Sequence, residues 1–533
     1  YEGEPIASQD DVDLEPTSPG GAGGGADDEG VEEEEFIVRE LATTSSHVFV
    51  PNSSEGSYTV ARIDGRDLSV KPMRVGAQPE EIRAADVEGQ GAVAYVLCEG
   101  DHTISIIRSD QPSLDGKGTG RVSLMRVPQE VNALQISPDG KYALAYIDPS
   151  KGILNADSSV ASLQTMALIR LGDTEQEDQV FELSVTRQIR SVKIDASSRR
   201  AFIVGKEGVN VIELESIVED SFVAPLRLGL SDDVYPPEDL EVDVSNDGSY
   251  FAIRSSKIMG VAMIKLSDAD ASLESVEVVE LGEMPRDIDL LQPGDGMRDV
   301  LIVTLADQSQ AVWLDTSVLI DGVEDAQDPV LERVDLSENS LFTQVAPGGD
   351  YILSYTSALV SSDLDVFDVQ QSQMNTYTLL NTIRGLAISN DGKVAVAVHY
   401  PGEALSEGGS TVQDEFRMNY GLTLVQLESG YRRPLLLEGE PADIITVENS
   451  EGEQLVYVMQ QSANTRHQGV VRLSLKSFRT DFISTAKSPS QMGTVAGKLF
   501  VSQYAAEGRI TFVDLVNNAQ KTISGYELNA RID

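Results

Sequence analysis

From Glu40 onward the chain is built of short apolar runs rich in Val, Ile, Leu, Tyr and Thr, separated by clusters of Gly, Asp, Asn, Ser and Pro. Runs of this length between turn-forming residues predict β-strands. No long helical periodicity interrupts them, and "LESIVEDSF" and "VLIDGVEDA" offer a turn or two at most. The expected class is all-β. In "ALQISPDGKYALAYID", the run ending at Ser137 meets Pro138-Asp139-Gly140, whose Asp-Gly pair suits a tight hairpin. "KYALAYID" then returns as the next strand.

The same unit recurs as "VSNDGSYFAIRSS" from Val244, "VAPGGDYILSYTS" from Val345 and "ISNDGKVAVAVHY" from Ile388. The spacings of Asp139, Asp247 and Asp391 fit whole multiples of a repeat of roughly 50 residues. Ten second strands can be read: "HVFVPN", "AVAYVLC", "YALAYI", "AFIVGK", "YFAIRS", "VLIVTL", "YILSYT", "VAVAVH", "LVYVMQ" and "LFVSQY". Most are followed by a third run, such as "TISIIR", "VAMIKL" or "ITFVDL", and often by a fourth. A four-stranded sheet cannot bury both of its faces alone, so such units stack face to face and close into a ring. The expectation is a β-propeller of about ten blades over 41–533, with seven or eight as the alternative. The closing segment "TISGYELNARID" is expected to lend a strand to the first blade, because no inner strand stands out after "FIVRELA".

These turns and strands resemble the YVTN/PD40-type, WD40-like β-propeller repeat family, in which "SPDGK" joins the inner strand to the next. The resemblance covers nearly all of 41–533. It implies the propeller fold and leaves activity open, since such propellers include binding scaffolds, lactonases and electron-transfer subunits. Several units lack the Pro-Asp-Gly turn, and "QPGDGMRD" is irregular.

Composition narrows the partners. Formal charge is −47, from 87 acidic and 40 basic side chains, which disfavours nucleic acid and anionic membrane. Residues 1–40 hold 14 acidic residues and one arginine, Arg39, in a Gly-rich stretch without apolar periodicity. Such a segment reads as a charge-extended tail or tether, alternatively as a membrane-anchored arm or a strand donated to a neighbour. Tyr1 in place of methionine suggests a processed start, and no apolar run is long enough to span a bilayer. The expected location is extracytoplasmic: secreted, periplasmic or cell-surface. One cysteine, Cys98, excludes an intramolecular disulfide and lies in a strand-like run, as a buried thiol would.

The candidate chemistry is sparse. His47, His102, His399 and His467 fall in different repeats and read as ordinary structural histidines. The acidic loops 110–120 and 321–328 lack EF-hand spacing. Trp313 reads as a third-strand core residue. Asn52 opens an Asn-Ser-Ser sequon, and Thr17-Ser18-Pro19 could carry O-linked sugar. The most organised set is Pro-x-acid-apolar at the start of several units, which places Glu81, Glu130, Asp239, Asp287 and Asp443 where inner strands enter the channel. A partial carboxylate ring there would concentrate cations and could hold Ca²⁺. Alignment on the Asp-Gly turn puts Glu238 in place of Asp239, and the plainer reading is Pro-turn acids that are solvated or paired with Arg286. The leading functional expectation is a non-enzymatic scaffold for protein–protein binding or surface assembly. The alternatives are a lactonase-like propeller enzyme with an acidic channel mouth, and a structural subunit of a surface filament or lattice.

Overall fold

A computed structural model of the chain describes residues 40–526 except 53–55, 113–118, 130, 152–164, 207, 218–220, 225, 227–239, 256–257, 293–298, 306–308, 322–327, 339, 404–410, 463–466 and 506. Among the described residues there are ten sheets, each wound in sequence order from an inner first strand outward. They are blades 1 to 10, spanning 42–74, 79–126, 133–184, 191–213, 241–280, 285–335, 342–378, 383–436, 440–484 and 489–524. All ten second strands read from the sequence are present, from His47–Pro51 in blade 1 to Lys498–Gln503 in blade 10.

Stacking explains why the second strands read as unbroken apolar runs. In Gly91–Cys98, Ala92, Ala94, Val96 and Cys98 pack toward blade 1, whereas Val93, Tyr95 and Leu97 pack toward blade 3. Period-two alternation thus sends each half of the strand into a different core. Ten such cores lie between successive blades. One of them joins Val495, Phe500, Ile510 and Phe512 of blade 10 to Val48, Val50, Ala61 and Ile63 of blade 1. The ring is closed at ten blades.

Among the described residues closure shows no strand exchange; 527–533, the end of the expected donor segment, lie outside them. Blade 1 has its own short inner strand, Ala42–Thr43, and Gln520–Ser524 stays in blade 10 as the outer strand. The junction is instead packed and pinned, with Ala496 N donating to Ser45 O (2.8 Å) and Lys498 Nζ to Gly65 O (2.8 Å). A second departure lies between blades 3 and 4. Among the described residues blade 4 has three strands, and the following Ser221–Phe222 pairs in parallel with Gln179–Ser184 at the edge of blade 3.

The repeated turn has one wiring. In "SPDG", Ser137 Oγ donates to Asp139 Oδ1 (2.6 Å), Tyr142 N donates to Ser137 Oγ (3.0 Å), and Gly140 takes φ +69°. The same bonds recur at Ser245–Asp247 (2.8 Å) and Ser389–Asp391 (2.6 Å), with Gly248 and Gly392 at φ +67° and +68°. Left-handed backbone at the fourth position favours glycine, and the short serine and aspartate side chains satisfy the turn's backbone groups.

Candidate functional site

First strands of neighbouring blades touch around the ring, blade 1 with 2, 5 with 6, 6 with 7 and 10 with 1, so they form the wall of the central channel. In blades 2, 6, 8, 9 and 10 this strand carries a β-bulge near its start, between Pro79 and Glu81, Pro285 and Asp287, Ile383 and Gly385, Pro441 and Asp443, and Pro489 and Gln491. A proline cannot donate to the ladder, and a bulge at the strand start accommodates it.

Glu81, Asp287 and Asp443 therefore occupy equivalent channel-wall positions, in blades 2, 6 and 9. The fold spaces them around the ring. Glu81 is buried and doubly paired, with Arg83 Nη2 (2.7 Å) and Lys151 Nζ (2.6 Å). Asp443 accepts from Ile444 N (2.8 Å), and burial raises its carboxyl above the usual range. Asp287 accepts from Thr343 N (2.8 Å), not from Arg286. Glu130, Glu238 and Asp239 lie outside the described residues. Among the described residues, no group of three or more His, Cys, Asp or Glu side chains is placed to hold a metal ion.

The structure gathers a different set. The inner strands of blades 5 and 6, Glu241–Val244 and Pro285–Leu291, run side by side. Period two puts Glu241 with Asp243 on one face, and Asp287 with Asp289 on one face, while Val242 and Ile288 turn into the blade cores. Asp243 reaches across to accept from Leu290 N (2.7 Å) and pairs with Lys193 Nζ (3.3 Å). Glu241 pairs with Arg254. Thr343 Oγ1, from blade 7, contacts both Asp287 Oδ2 (3.3 Å) and Asp289 Oδ2.

A hydroxyl has one hydrogen and cannot donate to two carboxylates. Thr343 Oγ1 donates to Asp289 Oδ2, which leaves Asp287 to rely on the Thr343 N–H. Burial pushes the Asp289 carboxyl up to about 7, against the Thr343 hydrogen bond and reinforced by Asp287, Asp243 and Glu241. Burial likewise raises Asp287 and Glu241, with Arg254 opposing in both cases. The arc is a patch of crowded negative charge that holds a proton near neutral pH.

This has a stability consequence. The unfolded aspartate titrates near about 3.9, so the folded state holds an extra proton between about 4 and about 7, and stability falls as pH rises through that window. Asp289→Asn is expected to stabilise the protein by on the order of 2 kcal/mol at pH 8. In thermal melts the gap from wild type should close as pH falls toward 4.

The other candidates are structural. His399 is fully buried between Thr382 O (2.9 Å) and Thr423 Oγ1 (2.8 Å), and burial lowers it to about 4. His47 is buried against Ser46 Oγ (2.8 Å), His102 sits in an exposed turn, and His467 lies 3.5 Å from Glu438. Trp313 packs edge-on to Phe367, with ring centroids 4.2 Å apart, in the core between blades 6 and 7. Cys98 is fully buried, and burial raises its thiol to about 11. Asn52 is also buried, with its amide near Thr59 Oγ1, which is not the setting of a glycan acceptor.

No known family profile and no curated protein matches the chain. Similar solved structures include the Dos1 propeller, at 11% identity over 70% of this chain and 90% of that one, with a TM-score of 0.41. Dihydro-heme d1 dehydrogenase NirN in complex with DHE aligns at 10% identity over 76% and 84%, TM-score 0.39. AztD from Citrobacter koseri aligns at 12% identity over 74% and 95%, TM-score 0.36. The blade count and the site come from this chain's own sheet order and contacts. Among the described residues, no helix is long and apolar enough to cross a membrane.

Proposed function

We propose that this propeller is a binding scaffold that receives a basic segment of a protein partner on the channel wall of blades 5 to 7. The observation that carries the reading is the arc itself. Glu241, Asp243, Asp287 and Asp289 crowd two adjacent strands, with Lys193 and Arg254 as the cations paired to them. A lysine or arginine entering there would displace the Asp289 proton and relieve the repulsion that holds it. An extended peptide with lysine at alternate positions presents its charges on one face, matching the alternation of the carboxylates. A YVTN/PD40-type repeat, a location outside the cytoplasm and attachment through the acidic residues 1–40 belong to the same proposal. The shared Ser-x-Asp-Gly turn wiring supports the first of these.

The test is fluorescence anisotropy with a dye-labelled peptide alternating lysine and serine. Asp287→Asn with Asp289→Asn is expected to weaken binding at least about tenfold. The control removes the same charge from the exposed outer strand of blade 5, by Glu277→Gln with Glu280→Gln. Equal losses in both variants would reduce the interaction to bulk attraction and end the proposal.

A second reading rests on the same proton. A carboxyl near 7 is in the range of a general acid or base, as a lactonase-like enzyme would use. It requires hydrolysis of a lactone probe with an inflection near pH 7 that Asp289→Asn abolishes.

A further inference from the structure

A separate feature lies at the outer rim between blades 8 and 9. There the outer strands Arg432–Leu436 and Thr480–Ser484 flank a groove of 290 Å³. Leu422 and Leu473 form its floor and are fully buried. Leu436 and Phe482 form its lips and stand 49% and 43% exposed. Apolar side chains on edge strands are costly to leave in water and mark a surface that another molecule covers.

The groove holds a second and independent anomaly. Gln460, at the end of the second strand of blade 9, lines it at 1% exposure. Its Nε2 donates to His467 O (2.8 Å), while Oε1 has no hydrogen-bond donor among the described residues. A buried acceptor without a donor is unfavourable, and Gln460 is one of the residues that line the groove. The charged residues lining the groove, Glu438 and Asp481, are both acidic. Asp481 is shared with Arg472 (3.5 Å) and Arg479 (3.1 Å), whereas Glu438 is 72% exposed with His467 at 3.5 Å.

We propose that this groove docks a tryptophan of a partner protein, flanked in that partner by lysine or arginine. The apolar floor and lips ask for a ring, and Gln460 Oε1 asks for an N–H at the ring's edge. Tryptophan combines the two, whereas phenylalanine and leucine lack the donor. Glu438 at the rim asks for a positive neighbour. This chain cannot supply the occupant from itself or from a second copy, because its single tryptophan, Trp313, is buried between blades 6 and 7.

The probe is a dye-labelled Lys-Lys-Trp-Lys-Lys peptide, with Phe and Ala versions, read by fluorescence anisotropy on the full chain. Saturable binding is expected in the order Trp, Phe, Ala, with Phe about tenfold weaker than Trp because Gln460 then stays without a donor. Leu436→Ser with Phe482→Ser, both at exposed positions, should abolish the preference for Trp over Ala. Gln460→Met should remove the preference for Trp over Phe while leaving both above Ala, and circular dichroism melts check that each variant is folded. Asp287→Asn with Asp289→Asn removes binding of the lysines to the channel wall and should leave the preference for Trp over Ala in place, which separates this groove from the channel wall. Equal affinity for the Trp and Ala peptides, or a preference that survives the loss of both lips, would overturn the proposal.

Discussion

Arg108→Met is expected to lower the unfolding free energy by about 3–5 kcal/mol. Arg108 lies on the third strand of blade 2, Thr103–Pro112, and its side chain is fully buried. Across the blade junction it donates to Asp178 Oδ1 (2.5 Å), whose side chain is 1% exposed, and within its own blade to Gln90 Oε1 (3.0 Å). Asp178 also accepts from Gly172 N (2.9 Å) and Ser123 Oγ (3.2 Å). Taking two ions out of water is costly, and each is tolerated because the other is there. Removal of the guanidinium leaves a carboxylate with two neutral donors and no countercharge. The double variant Arg108→Met with Asp178→Leu should recover most of the loss, since it removes both buried charges together. A urea titration of the two variants checks this, and equal destabilisation would mean that lost packing, not an orphaned charge, dominates.

Phe512→Ala is expected to cost about 3–5 kcal/mol, the range for deleting a buried aromatic ring from a packed core. Phe512 is 1% exposed in the third strand of blade 10, in the cluster that meets Val48 and Ile63 of blade 1. Among the described residues no strand passes between the first and last blades, so this packing and a few hydrogen bonds hold the ring shut there. Amide exchange should therefore accelerate in blades 1 and 10 together, 42–74 and 489–524, with blade 5 unaffected. Acceleration confined to blade 10 would show that closure does not depend on this contact.

Much of the ring was legible because each second strand is buried on both faces, which prints as runs such as "AVAYVLC" and "VAVAVH". The Ser-x-Asp-Gly turn was legible because its backbone geometry restricts the residues that fit. Elements that depend on contact rather than pattern were not. Ala42–Thr43 and Ser221–Phe222 are two-residue strands with no periodicity of their own. The helix Val412–Arg417, held by a Thr411–Asp414 capping box, is too short to show a stripe.

The site was half legible. Proline-led acids located the strand entrances, and Glu81, Asp287 and Asp443 do share one position there. Their partners come from elsewhere in the fold, as Lys151 does for Glu81, so spacing alone could not say which would stay free. The alternating acids of "LEVDV" and "RDIDL" were the signal for the arc. It becomes meaningful only once blades 5 and 6 stand side by side and Thr343 faces both Asp287 and Asp289. Gln460 had no signal at all, since an orphaned oxygen is a property of its surroundings.

Proton linkage tests the binding account most directly. The alternating lysine–serine peptide is titrated into the full chain by calorimetry at pH 7, in two buffers of different ionisation enthalpy. Asp289 is about half protonated there, so the account predicts release of about half a proton per peptide bound, and no release from Asp289→Asn. Identical binding enthalpies in the two buffers for the wild-type chain would mean that the peptide does not engage the arc, and would contradict it.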